Sequence, residues 1–295
     1  MTRKEAPPGS VAGGRQRMTQ WQQGDVLANG IRIHYYRTGG DGPPVVLCHG
    51  FSDNALCWTA LARELETDYD VVMVDARFHG DSEVPRQAGD PSPDMAADLI
   101  GLIDALGLDR PVAVGHSMGA SYVFYAAATY PDRLRAIALE DPVWFDPPPS
   151  VPEKEMADAM QRRTDERRAQ IARYQTASFE DLLASCREEH PTWDDETREL
   201  FVRAKQQLSP RILDGAIVHR ASWRALLAKV SCPLLVFTGD PSLGAIVTDP
   251  VYAAAEGLYP AMERAAIPGV GHHVRYENPE PYTAAMKAFL ARIAG

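Results

Sequence analysis

The sequence predicts an α/β fold, a mostly parallel eight-stranded sheet flanked by helices, with a helical insertion after the sixth strand. Three observations lead there. Short apolar runs of strand length alternate with helical stretches up to residue 141 and again from residue 231. The chain enters that rhythm through a hairpin. Between the two blocks the strands vanish and only helical patterning remains.

The segment DVLANGIRIHYYR (25–37) reads as the hairpin, because Asn29-Gly30 accepts the left-handed backbone of a two-residue turn. PVVLCHG (44–50), DVVMVDAR (70–77), PVAVGHS (111–117) and LRAIALED (134–141) follow as strands. Helices fit between them over Ala55–Glu66, Pro93–Leu106 and Met118–Tyr130. After the insertion come the strands PLLVFTGD (233–240) and ERAAIPG (263–269), with helices at Asp249–Leu258 and Glu280–Ile293.

Residues 147–149 are prolines, and Pro152 to Leu227 reads as helices without a strand. There Ser178 with Asp181 forms a capping box, and Ser209-Pro210 is a helix start. The chain thus divides into a flexible tail (1–20), a core (21–143 and 226–295) and a helical cap (144–225). The insertion departs from the carboxyl end of a parallel strand, the edge where open α/β sheets bind ligands. It is expected to act as a lid.

A net charge of −10 argues against nucleic acid or an anionic membrane surface as partner. No apolar run reaches the roughly 18 residues of a membrane span, and the N-terminus lacks a secretory apolar core. Cys48, Cys57, Cys186 and Cys232 show neither paired nor metal-type spacing and read as reduced thiols of a cytoplasmic protein. A Cys48–Cys57 disulfide stays open. The histidines show no H-x-x-x-H or H-E-x-x-H spacing, and no glycine-rich loop fits a nucleotide, so neither metal nor cofactor is expected. TWDDETRE (192–199) reads as a solvated helix start.

The chemistry centres on VAVGHSMGASY (112–122). Ser117 sits where a strand turns sharply into a helix, flanked by Gly115 and Gly119, the residues that let backbones approach without a Cβ. A serine hydroxyl needs a base. His272 directly follows the last strand and projects from the same sheet edge. Its neighbour His273 is expected to point elsewhere, His116 to be driven aside by the turn, and His49 to organise a loop; His34, His190 and His219 read as surface or packing residues. An orienting carboxylate is available at Asp141 or Glu140, after one strand, and at Asp240, after another. The backbone N–H groups of Met118 and Phe51 are candidate donors to a developing oxyanion, with Gly50 admitting close approach.

CHGF (48–51), DARFHGDS (75–82), GHSMG (115–119) and GVGHH (269–273) occur in the order and spacing of the α/β-hydrolase superfamily, which the chain resembles over about residues 24–143 and 226–295. The resemblance implies Ser117 as nucleophile, His272 as base, Phe51 and Met118 as oxyanion donors, and a cap domain for the insertion. DARFHGDS is similar to the family's D-x-R-G-x-G-x-S loop, with Phe78 in place of a glycine and with Asp75 and Arg77 as structural braces. The acid departs from the commonest pattern. Relatives with G-x-x-D after the penultimate strand would place it at 242, which is Ser242 here. Asp141 matches the branches that carry it after the strand following the nucleophile helix; Asp240 is the alternative.

A serine at this turn argues against dehalogenase and epoxide-hydrolase chemistry, whose relatives use an aspartate nucleophile. The expected activity is hydrolysis of a carboxylic ester or lactone of small to medium apolar substrates through an acyl-enzyme, with amides and carbamates still open. A carbon–carbon bond hydrolase, a perhydrolase and a ligand receptor with slow turnover are the alternatives. Trp144, Phe145, Trp193, Phe201 and Trp223 either fasten the cap to the core or line an acyl pocket.

Overall fold

Asn29 and Gly30 take φ of 48° and 78°, the left-handed pair that closes a tight hairpin between β1 (Gln22–Ala28) and β2 (Ile31–Arg37). The structure, a computed structural model, describes residues 21–87, 91–145, 153–215 and 222–294. The tail at 1–20, the prolines at 147–149 and His219 lie outside the described residues.

Next come β3 (Pro44–Cys48), α1 (Thr59–Leu65), β4 (Asp70–Val74), α2 (Pro91–Ala105), β5 (Val112–His116), α3 (Met118–Thr129) and β6 (Ala136–Glu140). Among the described residues four helices follow before the sheet resumes: α4 (Glu153–Thr176), α5 (Phe179–Glu189), α6 (Asp195–Gln206) and α7 (Trp223–Leu227). The chain ends through β7 (Leu234–Thr238), α8 (Asp249–Leu258), β8 (Glu263–Ala266), α9 (Val274–Glu277) and α10 (Pro279–Ala294).

All eight strands lie in one sheet, ordered β1-β2-β4-β3-β5-β6-β7-β8. Both pairings of β2 are antiparallel and every pairing from β3 to β8 is parallel. The central strands are buried on both faces, which is why they read as unbroken apolar runs. Alternation within β5 sorts the layers. Ala113 faces a core shared with α2 and α3, whereas Val112 and Val114 face the one shared with α1 and α10.

The expected helix from Ala55 opens instead with a 3-10 turn, Ala55–Trp58, because Asp75 Oδ1 accepts the Ala55 N–H at 2.7 Å and tightens the start. Asp75 Oδ2 also accepts the Asp81 N–H at 2.9 Å. Arg77 bonds Asp98 at 2.6 and 2.7 Å and Asp94 at 2.8 Å, all but enclosed by protein. Phe78 has φ 72°, the left-handed backbone that a glycine would adopt freely, yet its side chain is only 3% exposed. Burial of the ring offsets the strain.

Ser178 Oγ accepts the Asp181 N–H at the start of α5, and Asp194 accepts the Thr197 N–H at the start of α6. Ser209-Pro210 opens only a 3-10 turn, Pro210–Asp214. Trp144 stacks on Trp223 with ring centroids 5.4 Å apart and also meets Phe124 of α3. Trp193 and Phe201 pack on His273 and Tyr276. Four of the five aromatics therefore join the inserted helices to the sheet domain, while Phe145 is exposed. All four cysteines are free and buried. No helix among the described residues is long and apolar enough to cross a membrane.

Arg77→Met should cost about 3–5 kcal/mol, because Asp98 would be left as an unpaired buried carboxylate. The urea unfolding midpoint reads this directly; an unchanged midpoint would show that the loop does not need its brace.

Candidate active site

Ser117 has φ 53° and ψ −109°, a conformation that costs a non-glycine residue free energy and persists only where neighbours enforce it. The neighbours are visible. A Cβ on Gly119 would stand 2.1 Å from the Cys48 carbonyl oxygen, and one on Gly115 would stand 2.5 Å from the Gly119 backbone. The first turn of α3 is thus pressed onto the end of β3. Ser117 N–H donates to Glu140 O at 3.0 Å, tying the turn to β6.

That approach sets the head of α3 against the chain leaving β3 at Cys48 and His49. Met118 heads α3, where the first N–H groups have no intrahelical acceptor. Phe51 follows the end of β3, and its N–H meets no acceptor among the described residues. Gly50 leaves no room for a side chain, since a Cβ there would lie 2.7 Å from His116 Nδ1. His49 organises this loop, donating from Nδ1 to Gly50 O at 2.8 Å and accepting the Ala76 N–H on Nε2 at 3.0 Å. Burial lowers its pKa to about 3, which keeps the ring neutral.

His272 Nδ1 donates to Asp141 Oδ2 at 2.5 Å, and this fixes Nε2 as the proton-accepting nitrogen. The His272 side chain is 25% exposed and that of Asp141 fully buried. Asp141 has φ 42°, and its carboxylate also accepts the N–H groups of Ile246 and Val247 at 2.8–3.0 Å. Asp240, the alternative acid, makes no bond to His272. It caps the turn at Pro241–Leu243, accepting Ser242 N–H at 2.8 Å and Ser242 Oγ–H at 2.7 Å. Glu140 is fully buried and bound to the Arg275 N–H at 3.0 Å and guanidinium at 3.1 Å. Ser117 Oγ makes no hydrogen bond to His272; such contacts are often long before substrate binds.

The base loop has supports that sequence reasoning passed over. His116 Nε2 donates to His272 O at 3.0 Å, while its Nδ1 lies 3.7 Å from Asp53 Oδ2. Arg275 joins Asp53 to Glu140. Glu277 accepts the Gly271 N–H at 2.6 Å. Only H-S adjacency in GHSMG signalled any of this, because apart from Glu277 and Gly271 the partners lie tens to hundreds of residues apart in the chain. The His273 ring packs in the aromatic group of His190, Trp193, Phe201 and Tyr276, with the His272 ring 5.4 Å from it. Burial holds its pKa well below the usual histidine range.

His34, Asp75 and Asp81 form a group close enough for a cation that no sequence spacing signalled. Both Asp75 oxygens already accept backbone N–H groups, and His34 Nδ1 meets Asp25 at 2.8 Å, so the group serves as a brace.

A model of the alpha/beta hydrolase fold family matches residues 43–279. N-formylmaleamate deformylase of Pseudomonas putida is 30% identical over 275 residues, 90% of this chain and 96% of that protein. 2-(Acetamidomethylene)succinate hydrolase of Mesorhizobium japonicum is 28% identical over 271 residues, 86% and 90% of the two chains. A solved esterase from Thermogutta terrifontis superposes with a TM-score of 0.73 at 27% identity, covering 93% of this chain and all of that one. The N-formylmaleamic acid deformylase of Pseudomonas putida S16 does so at 0.73 and 25%, covering 90% of this chain and all of its own.

Asp141→Asn is expected to lower kcat by about 10⁴-fold by disturbing the imidazole tautomer, whereas Asp240→Asn should leave kcat near that of the parent and the melting temperature almost unmoved, because asparagine caps a turn as well as aspartate does. Steady-state kinetics and thermal melts on both variants separate the two acids, and the reverse ranking would move the role to Asp240. The neutral, buried His49 predicts an acid limit. The unfolded ring takes a proton near pH 6.5 and the folded one only near pH 3, so its contribution is full above 6.5 and lost as the pH falls towards 3. Urea midpoints across that range should fall less steeply in His49→Gln.

Proposed function

Because this chain belongs to the α/β-hydrolase family, we propose that it is a serine hydrolase that transfers an acyl group to water through a covalent acyl-enzyme. The observation that carries this is the His272–Asp141 hydrogen bond beside a strained Ser117. One constellation supplies a nucleophile and a base with a defined tautomer, and the Phe51 and Met118 N–H groups are the candidate oxyanion donors.

The steps follow from those atoms. His272 Nε2 takes the Ser117 hydroxyl proton as Oγ bonds to the acyl carbon. The carbonyl electron pair moves onto oxygen, where the Phe51 and Met118 N–H groups stabilise it. Collapse expels the leaving group, which takes the proton from Nε2. Water then attacks the acyl-enzyme, gives its proton to Nε2, and the acid departs as the proton returns to Ser117 Oγ. Asp141 holds the imidazolium in place and stays ionised throughout.

Carboxylic esters and lactones are the first substrate class, since an alkoxide leaves more easily than an amide nitrogen. The esterase superposition supports this choice. A second reading is hydrolysis of an N-acyl bond, favoured by the two relatives that match most of this chain, whose names give N-formyl and acetamido compounds. The helices α4–α6, within the insertion at 144–225, act as the lid over this site. Their aromatics serve mainly as its fastening to the core.

Ser117→Ala should abolish hydrolysis of a short p-nitrophenyl ester, a loss of at least about 10³-fold, with an unchanged circular dichroism spectrum. Turnover equal to the parent enzyme would overturn the mechanism.

A further inference from the structure

We propose that Lys205 on α6 is a specificity-determining residue that binds a carboxylate of the substrate, so that the preferred acyl donor is an anionic one. This rests on the acyl-transfer reading and adds a substrate class to it.

Lys205 Nζ has unusual company for an ammonium. It donates to Ser52 Oγ at 3.0 Å and lies 3.5 Å from the Phe201 ring centroid and 5.1 Å from that of Tyr174. No carboxylate among the described residues lies within ion-pair distance of it. The neighbouring carboxylate, Asp53, is already bound to Arg275. Burial at the ammonium end pushes the lysine pKa down. Taking an ammonium out of water is unfavourable unless a partner compensates, and one hydroxyl with two ring faces compensates only partly. Two of the three N–H donors have no hydrogen-bond acceptor. In a chain of net charge −10 that carries 40 acidic residues, an unpaired desolvated lysine is not explained by a shortage of carboxylates.

Its place explains it. Ser52 directly follows Phe51, whose N–H is the proposed oxyanion donor, so Nζ lies no more than about 10 Å from that amide. A second cation of the inserted helices, Arg167, rests its guanidinium 4.8 Å over the Phe51 ring. Asn54 Nδ2 donates to Gln207 Oε1 at 2.7 Å, which anchors the end of α6 on the same loop and fixes Lys205 over it. With about 3 Å at each end for the hydrogen bonds, the span admits a carboxylate roughly two to four carbons from the scissile carbonyl. A half-ester of succinic or glutaric acid has that length.

The test uses the full chain and two substrates, the mono-p-nitrophenyl ester of glutaric acid and the same compound with its free carboxyl methylated. The parent enzyme should prefer the anionic ester by at least about tenfold in kcat/KM, and Lys205→Met should cut that ratio by about tenfold, mainly through KM. Glutarate binding measured by calorimetry should weaken by a similar factor, a readout independent of turnover. Lys205→Met should keep or raise the melting temperature, because a methionine suits the bed of Phe201 and Tyr174 better than an uncompensated ammonium; Lys205→Gln provides a second, polar variant for the same ratio. Equal use of both esters by the parent enzyme overturns the proposal, as does a ratio unchanged in both variants. So does a drop in melting temperature with unchanged glutarate affinity, which would make Lys205 a tether. If neither ester is turned over above the Ser117→Ala background, acyl transfer fails while the calorimetry still decides the lysine.

Discussion

The close contact between the first turn of α3 and the end of β3 is the constraint from which the rest of the site follows. Gly119 lies where any side chain would collide with the Cys48 carbonyl, and that contact holds Ser117 in its left-handed turn. It also sets the head of α3 against the chain that leaves β3 towards Gly50. A single steric fact therefore governs both the backbone of Ser117 and the seating of α3 on β3. The hydrogen bond from Ser117 N–H to Glu140 O extends this control to β6, whose next residue is Asp141.

Strain and burial are concentrated where the sheet ends. Ser117 and Asp141, two of the few non-glycine residues at positive φ, lie at the carboxyl ends of adjacent strands. Phe78, another of them, belongs to the loop braced by Asp75 and Arg77 and passes its carbonyl to the Ser209 N–H of the inserted segment. The loops that carry chemistry are thus held by the same groups that dock the helices above them. A rigid sheet and buried ion pairs keep each strained backbone from relaxing.

Polar burial also divides the site by function. His49 and the Arg275–Glu140–Asp53 group are enclosed and positional, whereas His272 keeps a quarter of its side chain open to solvent. Lys205 belongs to neither class, since it is withdrawn from water without a carboxylate to answer it. Its contact with Ser52, like that of Gln207 with Asn54, joins α6 to the loop that leaves β3.

Much of this was legible along the chain. Alternating apolar runs gave away the sheet and its layers, Asn29-Gly30 the hairpin, and the glycines around Ser117 the turn, because each depends on neighbours within a few residues. The boundaries were less so: the helix at Ala55 begins as a 3-10 turn because a carboxylate twenty residues later claims its first N–H. Which acid meets His272 was beyond local reading. Asp141 and Asp240 both end parallel strands, and only the family resemblance, not the local pattern, favoured the first. The three-dimensional packing decided it: Asp141 lies beneath the base loop with the Ile246 and Val247 amides turned towards it, while Asp240 bends back to cap its own turn. Sequence determines what a residue does to its own backbone; which distant side chain it meets depends on how strands are ordered in the sheet, and only the folded chain settles that.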